Sequence, residues 1–197
     1  MRKTVQPTRL GFTLVELLVV LGVMGALMGM AMGVQRYAMT KSARSRAEAE
    51  IAGLSAAAEG FKADQATYPR SGDTDAMVSL ENGDHDSFLT ANKALYVLLS
   101  GDSDLNGKAD ATEGLPNATP SYFAFKPAML RVSGSSVVYI RDPWDSSGQS
   151  RPYGYSTKRA AALQAGGDDP TAGYNVTFDL WSTGHLPSNP NSWIKNW

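Results

Sequence analysis

Residues 102–113 read Asp-Ser-Asp-Leu-Asn-Gly-Lys-Ala-Asp-Ala-Thr-Glu. Counted from Asp102, oxygen-bearing side chains fall at loop positions 1, 3, 5, 9 and 12, with glycine at 6. This is the spacing D-x-[DN]-x-[DN]-G-x5-E, which wraps a hard cation in oxygen. Asp102, Asp104 and Asn106 converge on one point and Gly107 permits the sharp turn. Lys108 offers its backbone carbonyl, Asp110 binds directly or through water, and Glu113 closes the shell with both oxygens. The expected cofactor is Ca2+. Two departures shape the expectation. Position 8, usually a branched apolar residue, is Ala109, and Gly114-Leu115-Pro116-Asn117 follows the loop, so no exiting helix is expected. Such a half motif is a local clip rather than a sensor that opens a groove. The competing reading is a solvated acidic loop.

A second chemical position is Glu16. No charge occurs from Leu17 to Gln35, 19 residues that can span a hydrocarbon core of roughly 30 Å as a helix. A carboxylate at the head of such a run is costly and is a functional candidate for that reason. If the chain were cut after Gly11, Phe12 would bear a free α-amine four residues from Glu16, on the same helix face. In a stack of identical helices, Glu16 would instead neutralise a neighbour's amine, and mispairing would leave two bare charges in low dielectric. A tolerated interfacial Glu is the bland alternative. A cleaved secretory signal is disfavoured, because the apolar run is long and no A-x-A-like site follows it. Arg2, Lys3 and Arg9 favour a cytoplasmic N-terminus, while Arg36, Lys41, Arg44 and Arg46 on the far side oppose that bias.

Gly11-Phe12-Thr13-Leu14-Val15-Glu16-Leu17-Leu18-Val19-Val20 resembles the prepilin-type cleavage and methylation motif of type IV pilins and pseudopilins. The resemblance implies cleavage after Gly11 by a prepilin peptidase, N-methylation of Phe12, and a register and assembly role for Glu16. Gly22, Gly25, Gly29 and Gly33 follow at steps of three, four and four, a stripe of small residues that lets helices approach closely in lipid. Simple tolerance of glycine explains the stripe equally well.

The elements that must position these residues follow from periodicity. Ile51, Leu54, Ala58 and Phe61 recur at helical steps with charges between them, so one long helix is predicted from about Thr13 to Gln65, ending at Tyr68-Pro69. Residues 70–86 read as a loop. A second helix is predicted at about 87–100, with Gly101 as its stop. Short β-runs are expected at 122–125, 137–140, 153–155 and 174–181, forming a small antiparallel sheet. The predicted class is therefore α+β, with a long N-terminal helix packed on a small antiparallel sheet. The expected organisation is a leader at 1–11, a transmembrane and assembly helix at 12–34, its amphipathic continuation at 35–66, and a head at 67–197.

Asp142-Pro143-Trp144 leading to Pro152-Tyr153-Gly154-Tyr155, the run from Phe178 to Gly184, and the terminal Asn196-Trp197 resemble the major type II secretion pseudopilin. That family binds a structural calcium through aspartates near its C-terminus. Here no carboxylate side chain follows Asp179, so that site is not carried over. Trp181, Trp193 and Trp197 are expected to anchor the C-terminal loop by packing.

The 197 residues contain no cysteine, which excludes disulfides, thiolate metal sites and thiol catalysis. It also leans away from many type IV pilins, whose C-terminal region is disulfide-closed. Without residues 1–11, the 18 basic residues fall to 15 against 19 acidic ones, a net charge of −4. No nucleic-acid partner is expected of such a body. No nucleophile–base constellation or nucleotide fingerprint appears, so an enzyme is not expected. His85 and His185 are assigned surface or packing roles. The resemblance implies a homo-oligomeric filament, a type II secretion pseudopilus, and partners in prepilin peptidase, the inner-membrane assembly platform and membrane lipid. The precursor would be a single-pass inner-membrane protein with a periplasmic head, later assembled into a periplasmic or surface filament. A type IV pilus or minor pilin, and a non-polymerising membrane-tethered calcium module, are the alternatives.

Overall fold

The computed structural model describes residues 11–79, 85–116, 118–146 and 148–197. The chain forms two compact units, Met1–Lys41 and Ser42–Trp197. Helix α1, Leu14–Gln65, runs through the first and into the second. In the first unit its large apolar side chains, from Leu14 to Met39, are exposed, as is Phe12 before it. With a mean hydropathy of 2.3 over its most apolar window, α1 is long and apolar enough to cross a membrane.

In the second unit the sequence changes so that α1 acquires one buried stripe. Ala47, Ile51, Leu54, Ala57 and Ala58 recur at three- and four-residue steps and face the core. The Phe123 ring lies against the small surface at Gly53. The helix stops where Ala66 takes a φ of 59° and Pro69 follows. Helix α2, Gly72–Ala76, starts at a reciprocal cap: Ser71 Oγ accepts from the Thr74 N–H and Thr74 Oγ1 accepts from the Ser71 N–H. Helix α3, Leu89–Ser100, buries Ala91, Asn92, Leu95, Tyr96 and Leu99, and ends on left-handed Gly101. A single helical turn, α4, covers Asp110–Glu113.

Two small antiparallel sheets complete this unit. Strands β1, Leu130–Ser133, and β2, Ser136–Ile140, form a hairpin with an irregularity after Arg131. Strands β3, Gly154–Ser156, β4, Asp179–Ser182, and β5, Ile194–Lys195, form the second sheet in the order β3-β4-β5. Helix α5, Lys158–Gln164, follows β3. Gly154 faces Trp181 across the sheet, and a Cβ there would stand 2.0 Å from the indole. Only glycine admits that approach.

The α+β class holds: a long N-terminal helix with small antiparallel sheets, in a pilin-like arrangement. Several finer expectations are corrected. The sheet is two sheets. Residues 122–125 form no strand; Tyr122 and Phe123 both direct their N–H to Leu99 O, and their rings meet Phe61 and Phe125. Of residues 174–181 only the end is strand, because the Tyr174 and Asn175 N–H groups turn back onto the Asp179 carboxylate at 2.8 Å each. The loop expected at 70–86 contains α2, and its residues 80–84 lie outside those described.

Candidate functional site

The first candidate site is the start of α1. Gly11, Phe12 and Thr13 precede the helix without regular structure, and Phe12 is 85 % exposed. Thr13 donates both its N–H and its Oγ1–H to Glu16 Oε2, at 2.8 Å each, while Thr13 Oγ1 accepts from the Glu16 N–H at 3.3 Å. This is a capping box, with Thr13 at the N-cap and Glu16 at N3. Glu16, expected on the same helix face as Phe12 four residues before it, rests its carboxylate on Thr13. The role of Thr13 was missed, although T-x-x-E before an apolar run is itself the pattern of that cap. Added Cβ atoms at Gly22, Gly25 and Gly29 would meet nothing within 4 Å, so these positions are open to close approach. Residues 1–10 of the expected leader lie outside those described.

The second candidate site is the loop between α3 and α4. Carboxylate oxygens of Asp102, Asp104 and Asp110 all lie within 4.8 Å of one another. Asp102 is fully buried and held from several sides. Tyr96 donates its hydroxyl to Asp102 Oδ2 at 2.5 Å, Gly107 N–H to the same oxygen at 2.8 Å, and Asn106 N–H to Oδ1 at 3.1 Å. Burial, and then the Asp102 carboxylate, push the Tyr96 phenol well above its usual range, so it stays a donor. Asp110 accepts from the N–H and hydroxyl of Ser103, the latter at 2.7 Å. Asn106 reaches Asp104 Oδ2 at 2.9 Å and Glu113 Oε2 at 3.0 Å through its Nδ2, while its Oδ1 accepts from the Lys108 N–H. Lys108 Nζ stands 3.5 Å from Glu113 Oε1.

Three of the six loop residues singled out from spacing, Asp102, Asp104 and Asp110, bring carboxylate oxygens together; Asn106 links Asp104 to Glu113 through its Nδ2, and Lys108 reaches Glu113 with its ammonium rather than its carbonyl. The turn is made by Leu105 at φ 64° and Gly107 at φ 90°, and Leu105 O accepts from the Val137 N–H of β2 at 2.7 Å. The expectation of no exiting helix is corrected. Asp110–Glu113 forms one turn, closed by left-handed Gly114, whose N–H donates to Asp110 O; the turn goes no further into Pro116. Tyr96 and Ser103, outside the loop pattern, were not legible as supports, since their positions depend on how α3 enters.

Residues 7–32 match the prokaryotic N-terminal methylation motif. Comparison with curated proteins and with solved structures returns no match. The chain therefore carries a type IV pilin-like prepilin signal, the substrate motif of prepilin peptidase, on an apolar helix compatible with membrane anchoring. That motif belongs to structural subunits rather than enzymes.

Proposed function

We propose that this chain is a structural subunit of a type II secretion pseudopilus. Prepilin peptidase cleaves it after Gly11 in the inner membrane, Phe12 is N-methylated, and the mature chain assembles through α1 into a homo-oligomeric filament on the assembly platform. The head lies on the periplasmic side. The observation that carries the reading is the methylation motif over residues 7–32, ending its polar part at Glu16 in the first turn of an exposed apolar helix. Glu16 acts in register: on assembly its carboxylate exchanges Thr13 for a neighbour's terminal amine, because a mispaired charge in low dielectric is costly. The choice of a secretion pseudopilus over a type IV pilus rests on the Asp142–Trp144, Tyr153–Tyr155 and C-terminal sequence resemblances.

The test is the intact mass of membrane-extracted protein beside the Gly11→Ala variant. A mass lacking residues 1–11 and carrying one extra methyl, lost in the variant, supports the reading. An uncleaved mass in both sinks it.

The loop at 102–113 binds Ca2+ as a structural clip in this proposal, through Asp102, Asp104, Asn106, Asp110, Glu113 and the Lys108 carbonyl. The three aspartates support it: oxygens on opposite sides of a calcium ion at ~2.4 Å stand up to ~4.8 Å apart, and oxygens of Asp102, Asp104 and Asp110 all lie within that distance of one another. Calcium would fix the end of α3 against β2 through the Leu105–Val137 hydrogen bond. Calorimetry on the detergent-solubilised chain should show binding at millimolar calcium or below, abolished in D102A/E113A. Absence of calcium-dependent heat in the wild type removes this part and leaves the pilin reading untouched.

A further inference from the structure

We infer that α1 carries, at the end of its apolar run, a binding surface for anionic phospholipid headgroups, built from Arg36, Tyr37 and Lys41. The inference rests on the membrane-anchored reading and specifies the lipid that reading requires.

The geometry comes from the helix. Nineteen uncharged residues from Leu17 to Gln35 rise ~28 Å at ~1.5 Å each, about the hydrocarbon thickness. Arg36 and Tyr37 thus emerge at the boundary, and Lys41 stands ~7 Å further along the axis. At ~100° per residue, Arg36, Thr40, Tyr37 and Lys41 fall within one arc of about 140°. All four are exposed. Tyrosine with an apolar body and polar tip suits the headgroup level, and long cationic side chains snorkel to it.

The charge pattern separates these cations from their neighbours. Residues 17–47 contain no Asp or Glu but carry Arg36, Lys41, Arg44 and Arg46. Arg44 pairs with Glu48 at 3.0 Å and Arg46 with Glu50 at 2.6 Å. Among the described residues Arg36 and Lys41 form no ion pair. Residues four steps away on either side are Met32 and Thr40 for Arg36, and Tyr37 and Ser45 for Lys41, none of them acidic. Of the four cations at 36–46, the two nearest the hydrocarbon are therefore the two without a carboxylate among the described residues, and they lie within about a Debye length of the lipid charge at ~8 Å. An anionic headgroup supplies the missing partner. A zwitterionic headgroup offers its phosphate with a cation beside it, and so a weaker net attraction.

The test uses the full chain reconstituted in phosphatidylcholine vesicles, with a trace of acyl-chain spin-labelled phosphatidylglycerol or phosphatidylcholine. Phosphatidylglycerol should associate with the protein about fivefold or more over phosphatidylcholine, the factor one interfacial cation provides. The preference should fall toward unity in R36Q/K41Q and in high salt, and persist in K93Q, which changes a cation on α3. Equal association of the two lipids in the wild type, or a preference surviving in R36Q/K41Q, overturns the proposal while anchoring stands. A chain that fails to float with vesicles overturns the anchoring and the lipid surface together.

Discussion

Replacing Asp142 by Asn should stabilise the head at neutral and alkaline pH and flatten its pH dependence. Asp142 is buried at the start of the 142–151 turn, where its Oδ1 accepts from the Trp144 N–H at 2.9 Å and, among the described residues, Oδ2 meets no donor in hydrogen-bond geometry. Burial pushes its carboxyl up to about 7, against the opposing pull of the Ser182 hydroxyl, the Trp144 N–H and Arg151; Glu50 adds to the rise. The unfolded chain titrates near ~3.9. Between these values the folded chain holds a proton that the unfolded chain has released. The stabilisation is fully present below about pH 4 and is lost as pH rises through about 7. Three pH units at ~1.36 kcal/mol each give about 4 kcal/mol as the order of the effect. Asn keeps an acceptor for Trp144 and carries no charge to bury. Urea unfolding of the detergent-solubilised chain, followed by tryptophan fluorescence at pH 4.5, 6 and 8, measures it. The wild type should lose stability relative to D142N across this series by a few kcal/mol. Parallel profiles for the two proteins would refute the reasoning and show Asp142 ionised in the fold with its charge compensated.

Asn92→Ala should cost the head about 2–4 kcal/mol, read by the same unfolding assay, because Asn92 Nδ2 donates to Ile140 O and Tyr153 O and its Oδ1 accepts from the Ile140 N–H. Removing it strands buried backbone groups, each at about 1–3 kcal/mol. Gly154→Ala should cost at least ~1–3 kcal/mol, the range for overpacking, and should shift the Trp181 emission, since the new methyl falls inside the indole.

The parts legible in the sequence are those whose chemistry is written in local spacing. The helix from 14 to 65, the methylation motif at its head and the turn at 102–113 each depend on residues a few positions apart, and a fixed helical or turn geometry converts that spacing into position. What was illegible depends on pairing across the chain. Asn92 reads as a polar residue on a helix, yet it joins α3 to β2 and to the entry of β3. Asp145 reads as turn material, yet it is fully buried between Arg131 and Arg141 and accepts the Tyr139 hydroxyl at 2.7 Å. Strands of two to five residues carry too little alternation to register. The aromatic run at 122–125 misleads for a physical reason: rings suited to a pleated surface suit a helix face equally well, and here they pack around Phe61 and Gly53.

The two units also differ in what completes them. In Ser42–Trp197 the apolar side chains close on one another around α1, α3 and the sheets. In the first unit, Phe12, Leu17, Leu18, Leu21, Met24 and Leu27 have no such partners among the described residues and stand more than half exposed, with many neighbours like them. Covering roughly ten of these at ~1.5 kcal/mol each is worth ~15 kcal/mol, as much as the whole stability of an ordinary domain. The location of this chain is therefore decided by what covers α1, and lipid and like helices cover it almost equally well. Apolar burial alone cannot choose between them. The choice falls to the few polar groups at the ends of the run: at one end Glu16, whose carboxylate rests on Thr13 and which the proposed filament would pair with a neighbour's amine, and at the other Arg36 and Lys41, which the proposed anionic surface would pair.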